Sequence, residues 1–166
     1  MKWLVAGIFL AVFSIMIHVA ILSNAVAQHA DEQLHYTLES ATHAAVLMVV
    51  PSSVSDGDIT YDQTKANDIF RQIVATNLAL NPTTLAPLPN SPYQSPLVID
   101  SEAFIDYSDV SSFPYVYKNP TYGIDVTLHG PAVVYVVQIP IPRAFNASLA
   151  YPIRWTVIQA YPYAAP

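Results

Sequence analysis

An uncharged apolar run near the N-terminus limits what this chain can fold into more than any other feature. Residues 3–22 contain no charged side chain, and Ser14 and His18 are the polar residues among them. As an α-helix, the run is about 30 Å long, which equals the thickness of the hydrocarbon core of a bilayer. We therefore predict a transmembrane anchor over residues 1–22.

Charges on either side of this run indicate its orientation. Lys2 precedes it, whereas Asp31, Glu32 and Glu39 follow it. A positive charge at the short end favours the cytoplasm for that end, which places the remaining chain outside. A secretory signal cleaved near Ala27 is the alternative, because residues 25–27 have the small-x-small pattern of a cleavage site. The run is longer than the usual apolar region of a signal peptide, roughly 7–15 residues, and this favours an anchor that is retained.

The composition of the 166-residue chain excludes several classes of function. Because there is no cysteine, neither disulfides nor thiolate metal sites can form. Twelve acidic residues stand against six basic ones, so the chain lacks the basic patch that a nucleic-acid partner requires. With only four glycines, a glycine-rich phosphate loop is not expected either. We predict no nucleic-acid partner and no cofactor.

The helical pattern continues beyond the membrane run. No proline or glycine occurs between Ile8 and Val50, and the first proline is Pro51. Small and apolar residues recur there at spacings of four and three, which places them on one side of a helix. This stripe consists of Leu34, Leu38, Ala41, Ala45 and Met48. Its alanines would let another helix or a sheet approach closely, so we predict one helix over about 3–49, with residues 23–50 as its amphipathic half.

The remaining residues, 51–166, are predicted to form one extracytoplasmic domain that begins with a second helix. Pro51 is expected to end the long helix, and residues 52–58 to form a polar turn. Asp62 has the position of an N-cap for a second, short helix. The buried face of that helix is predicted to contain Ala66, Ile69, Phe70, Ile73 and Leu78.

The sequence pattern changes from a helical to a strand period after a proline-rich loop. Residues 81–96 contain five prolines and are predicted to form a loop or arm. Alternating patterns then predict strands at 97–105, 115–117, 124–128, 133–139 and 153–158. His129, Gly130 and Pro131 indicate a hairpin between the third and fourth of these strands. The predicted fold class is α+β, with a small antiparallel sheet and helix packed on one face.

Histidines and acidic residues suggest metal sites, but their spacing argues against them. His18, His29 and His43 project from one side of the long helix, yet they lie roughly 16 and 21 Å apart along its axis. A single ion cannot bridge such distances. Residues 56–62 resemble a calcium loop, but Tyr61 and Asn67 stand where an EF-hand requires glycine and glutamate. We predict a turn and a helix cap there, and no metal.

No arrangement of residues in the sequence predicts catalysis. Asp100, Glu102 and Asp106 form an acidic cluster, which we expect to be a solvated strand edge because polar residues surround it. The chain has neither a G-x-S-x-G nucleophile motif nor an H-E-x-x-H motif, so no enzymatic activity is predicted. Four tyrosines are candidates for surface contact, although strand packing would also explain them. They are Tyr107, Tyr115, Tyr117 and Tyr122.

The layout resembles that of the TadE/TadG-like pseudopilins. The resemblance rests on the N-terminal membrane helix, the alanine-rich residues 38–46, the second helix and C-terminal strands such as 133–137. It implies a component of a tight-adherence pilus or of a related secretion or conjugation apparatus. Prepilins of this type carry a glycine followed within a few residues by glutamate. Gly7 is present here, but residues 8–12 contain no acid, which favours an accessory or assembly subunit that stays in the membrane.

Two functions follow as hypotheses. The first is a membrane-anchored structural or assembly component, whose N-terminal helix contacts membrane lipid and other subunits. Its candidate contact residues are Gly7, His18 and the stripe. The second is a membrane-tethered module that binds glycan or peptide through a sheet surface rich in tyrosine and proline.

Overall fold

The computed structural model of the protein describes residues 2–142 and 152–162, and these contain three helices and five strands. The helices are α1 (Lys2–Val46), α2 (Pro51–Asp56) and α3 (Gln63–Leu78). The strands are β1 (Val98–Ile105), β2 (Tyr115–Asn119), β3 (Ile124–Leu128), β4 (Ala132–Pro140) and β5 (Pro152–Ala160). This confirms the α+β fold with its long N-terminal helix, its antiparallel strands and the short helix predicted after Asp62, which is α3 here.

The long helix α1 is uninterrupted, as predicted, and it ends slightly earlier than expected. Its last turn tightens, because the N–H of Met48 donates to the carbonyl of Ala45. Pro51 does not end α1 but begins α2, at a position where its missing N–H costs nothing. The polar turn predicted at residues 52–58 is therefore wrong for its first part, which is helical. Gly57, with φ of 82°, caps α2 in a conformation that glycine adopts without strain.

Helix α3 begins where its cap was predicted and lies antiparallel to α1. The carboxylate of Asp62 accepts a hydrogen bond from the N–H of Lys65, as an N-cap does. Asp62 also donates its own N–H to the carbonyl of Met48, near the end of α1. At the other end of α3, the Gln33 side chain of α1 donates to the carbonyl of Asn77 at 2.8 Å. The predicted buried face is confirmed, with Ile69 and Ile73 partly rather than fully buried.

A three-stranded antiparallel sheet with β4 at its centre forms the middle of the domain. The strand order is β1-β4-β5, and β4 is buried on both faces because its residues are apolar without alternation. One face packs on the helices, where the Tyr135 ring stacks on Phe70 with centroids 3.8 Å apart. Val134 and Val136 point to the opposite face, which a separate hairpin covers.

That hairpin is formed by β2 and β3, so the predicted pairing of the third strand with the fourth is wrong. The turn of the hairpin contains Gly123, whose φ of 68° requires glycine-like freedom. Residues 129–131 instead carry the chain from this two-stranded sheet to the centre of the larger one. The single sheet that the sequence indicated is thus two sheets, which pack face to face around a second apolar cluster.

Residues 81–96 form an irregular loop that is packed against the domain and does not extend from it as an arm. Its Leu85 and Tyr93 side chains are buried in the main apolar cluster. The Ser91 hydroxyl donates to the carbonyl of Leu78, at the end of α3. The side chain of Asn81 accepts hydrogen bonds from two backbone N–H groups within the loop. These bonds replace the regular backbone pairing that the prolines prevent.

Candidate functional site: the apolar helix and its junction with the domain

The first half of α1 protrudes from the domain as a bare apolar rod. Its side chains from Trp3 to Leu22 are exposed or nearly so, and no part of its most apolar stretch is buried in the chain. Within the described residues, α1 is the one helix long and apolar enough to span a membrane. A bare surface of this size would be strongly unfavourable in water, because apolar burial contributes about 25 cal/mol per Å².

Two of the predicted contact residues, Gly7 and His18, lie on one side of this rod. Eleven residues separate them, which brings their directions to within about 20° on an ideal helix. Ala11 and Ser14 lie between them on the same side of the helix, because the four residues follow each other at spacings of four, three and four. The side chains on this side are therefore smaller and more polar than those around the rest of the helix. No described atom outside the helix lies near the position that a side chain at Gly7 would occupy. We call these four residues the small face of α1.

The His18 imidazole is tied to its own helix by one of its two nitrogens. Nδ1 lies 2.7 Å from the carbonyl oxygen of Ser14, and donates to it. When Nδ1 of a neutral imidazole donates, Nε2 carries the acceptor lone pair, so that nitrogen is left as an acceptor on the exposed side of the ring. Among the described residues, none forms a hydrogen bond to it. In hydrocarbon, a polar atom in this position would be costly unless another group bonded to it.

The predicted stripe on the second half of α1 is already covered by other parts of the same chain. Leu34, Leu38, Ala41 and Ala45 are fully buried in the main apolar cluster, and Met48 is partly buried at its edge. Their partners are α3 and the sheet. The alanines allow close approach of a helix, as expected, but that helix belongs to the same domain. The apolar surface of α1 that no other part of the described chain covers is therefore mainly its first half.

The junction between the rod and the domain is reinforced by polar contacts to α1. The buried Tyr93 hydroxyl of the proline-rich loop donates to the carbonyl of Ala30 at 2.7 Å. Burial raises the pKa of this phenol well above its usual value, and the nearby Asp31 carboxylate raises it further. Tyr93 is therefore a neutral donor throughout the physiological range. Nothing in the local sequence pattern marked it, except that it is the single tyrosine in that loop.

A shallow, open pocket of about 440 Å³ lies beside this junction, between α1 and the end of α3. Its lining residues are His29, Glu32, Gln33, Tyr36, Thr37 and Asn77. Only one acid and one histidine contribute to it, which is too few for a metal site. Across residues 2–142 and 152–162, no three histidine or acidic side chains come together as metal ligands.

The acidic cluster of β1 is not the solvated edge that the sequence indicated. Asp106 is buried, with 1% of its surface exposed, and its carboxylate accepts three hydrogen bonds from Tyr61 and Ser108. Asp100 forms an ion pair with Arg154 of β5 at 2.9 Å. Only Glu102 is exposed. The prediction is wrong for Asp106 because the fold brings the amide of Tyr61, distant in sequence, onto its carboxylate.

The four tyrosines proposed for surface contact are mostly packed in the fold. Tyr117 and Tyr122 are partly buried against the cluster beneath the β2–β3 hairpin, and the Tyr122 hydroxyl donates to the carbonyl of Asp100. Tyr107 packs edge-on against Phe113. Tyr115 alone among the four is exposed. The sheet surface thus offers less aromatic area to a ligand than the composition suggested.

Comparison of the chain with protein-family models, with curated proteins and with solved structures finds no match to any of them. The functional argument consequently rests on the geometry of α1 and of its junction with the domain.

Proposed function

We propose that this chain is a single-pass membrane protein and a structural or assembly component of a pilus-like or secretion apparatus, with its N-terminus in the cytoplasm and its α+β domain outside. The observation that carries the proposal is the continuity of α1. One helix of 45 residues supplies both the apolar rod and the spine of the domain. The resemblance in layout to TadE/TadG-like pseudopilins points the same way.

Continuity matters because it makes the connection between membrane and domain rigid. A module that only needs to stay near a membrane can be tethered by a flexible linker. Here the helix enters the main core directly, with Ala30 and Leu34 buried immediately beyond the rod. A force or a rotation applied to the membrane half is therefore transmitted to the sheet. This property suits a subunit that must hold a fixed orientation within an assembly.

Contacts with other subunits are assigned to the small face of α1. Helices associate in lipid through small residues that let backbones approach, and through polar groups that bond across the interface. Gly7 and Ala11 supply the first property, and Ser14 and His18 supply the second. The acceptor nitrogen of His18 would gain its missing partner from a neighbouring helix. The absence of an acid after Gly7 fits an accessory subunit that stays in the membrane.

Site-specific photocrosslinking in the producing cell tests this assignment. A photoreactive residue at Ser14 lies on the small face, whereas one at Met16 lies about 200° around the same helix at nearly the same depth. We expect a discrete protein crosslink from position 14, only lipid or background from position 16, and loss of the position-14 product in His18→Leu. Equal labelling from both positions would contradict a specific helix contact.

Fractionation tests the anchor separately. We expect the intact chain to remain in the membrane pellet after alkaline extraction, and its domain to be digested by protease added outside the cells. Recovery of a soluble chain that begins at Gln28 would instead identify residues 1–27 as a cleaved signal. It would refute the anchor and the subunit assignment together.

A further inference from the structure

One end of the domain is turned towards the apolar rod, and the fold identifies which residues form it. Because α3 is antiparallel to α1, its first residue lies near Met48 and its last turn lies near Gln33. The proline-rich loop follows α3 directly, and its Tyr93 reaches Ala30, at the start of the buried part of α1. The loop and the first residues of β1 therefore occupy the membrane-facing end.

The segment that forms most of this end carries no charge of its own; the charges beside it are Asp31 and Glu32 of α1 and the Asp100–Arg154 ion pair. Residues 72–99, which run from α3 through the loop into β1, include no acidic, basic or histidine side chain in 28 positions. The opposite end, where α1 passes into α2 and α3, exposes Asp56, Asp58 and Lys65. Large apolar side chains of this segment are exposed: Leu88 is 42% and Val98 is 51% exposed.

The height of this end above the membrane follows from the helix. Residues 3–30 contain no Asp, Glu, Lys or Arg, and 28 helical residues span about 42 Å. A bilayer with its headgroups is about 40–45 Å thick. Trp3 suits one interface, since indole rings concentrate at headgroup level. Ala30 then lies at the level of the opposite headgroups, and the carbonyl of Ala30 is the group that Tyr93 contacts.

We infer that the membrane-facing end of the domain rests on the outer lipid headgroup layer and binds it through Leu88 and Val98. This inference rests on the proposed membrane anchor. The surface suits uncharged or zwitterionic lipid, because the loop offers no cation to an anionic headgroup, the nearby Arg154 is paired with Asp100, and the chain carries a net charge of −6. Asp31 and Glu32 directly follow Ala30 on α1, so they lie near the headgroups and would repel an anionic lipid surface. Contact at the loop, together with α1, would fix the tilt of the domain.

The chain contains no cysteine, so single cysteines can be introduced and labelled without background. We would attach an environment-sensitive fluorophore at Leu88→Cys, Val98→Cys, Val54→Cys or Phe13→Cys of the full chain, reconstituted in phosphatidylcholine vesicles. Val54 is the matched control, because it is 45% exposed but lies on α2 at the far end. Phe13 reports on the anchor. Quenching is measured with nitroxides on the lipid headgroup or on the acyl chain.

We expect headgroup nitroxide to quench the labels at 88 and 98 several-fold more than the label at 54, and acyl-chain nitroxide to quench the label at 13. Leu88→Glu should reduce quenching at 98, whereas Val54→Glu should leave it unchanged. If the label at position 13 is quenched while the labels at 88 and 98 are quenched no more than the label at 54, the inference is overturned and the anchor stands. If 13 is not quenched, the anchor itself fails. Quenching at 88 that requires anionic lipid would also overturn the inference.

Discussion

The buried carboxylate of Asp106 offers the sharpest test of how this domain is held together. Asp106 follows the last residue of β1 and accepts the N–H of Tyr61 at 2.8 Å, and the N–H and hydroxyl of Ser108 at 2.8 and 2.6 Å. Tyr61 belongs to the segment between α2 and α3, so the carboxylate joins the end of the sheet to the start of the helical layer. Asp106→Ala removes this link.

The expected cost can be worked out from these contacts. Ser108 is exposed, so its donors can turn to water in the variant. Tyr61 is buried, and its N–H would be left without an acceptor, at about 1–3 kcal/mol. Losing a charge-assisted bond adds about 1–2 kcal/mol, and the relief of no longer burying a charge offsets part of it. A net loss of about 3 kcal/mol lowers the melting temperature by roughly 6–12 °C for a chain of this length.

The assay is thermal and urea unfolding of the full chain in detergent, followed by circular dichroism. Asp109→Ala is the matched control, because it removes the same charge three residues away from an exposed position. Ser108→Ala should fall between the two, since it loses the hydroxyl bond alone. If Asp106→Ala unfolds at the same temperature and urea concentration as Asp109→Ala, the carboxylate does not stabilise the fold and this reasoning is refuted.

Two further predictions concern the aromatic residues of the core. Phe70→Ala removes the ring stacked on Tyr135 and should cost about 3–5 kcal/mol in the same assay, whereas the exposed Val54→Ala should change stability by less than about 0.5 kcal/mol. Burial raises the pKa of the Tyr93 and Tyr135 phenols in the folded chain. Their contribution to the free energy of unfolding should therefore be complete below the ordinary tyrosine pKa of about 10, and should decrease as the pH rises above it. Tyr93→Phe should flatten that alkaline decline, and phenolate absorbance that rises for these groups before unfolding would contradict it.

Local patterns in the sequence determined the elements of this fold. The helix through residue 46 follows from the absence of proline and glycine after Ile8, and α3 begins at Asp62 because a short acidic side chain there bonds a free helix N–H. The strands appear close to their predicted positions, since alternation and β-branched residues are properties of each segment alone. The apolar run likewise specifies a helix that can span a bilayer, whatever surrounds it.

Which strands pair, and which distant residues contact each other, was decided only by the tertiary structure. A strand pattern does not predict which other strand will pair with it. β4 pairs with both β1 and β5, because a strand that is apolar on both faces is buried best at the centre of the sheet. That choice leaves β3 to pair with β2 through Gly123. The same long-range packing buried Asp106 beneath a distant amide, and it enclosed the stripe of α1 within the domain. Contacts between residues far apart in sequence depend on which surfaces the whole chain can bury together, and no local pattern carries that information.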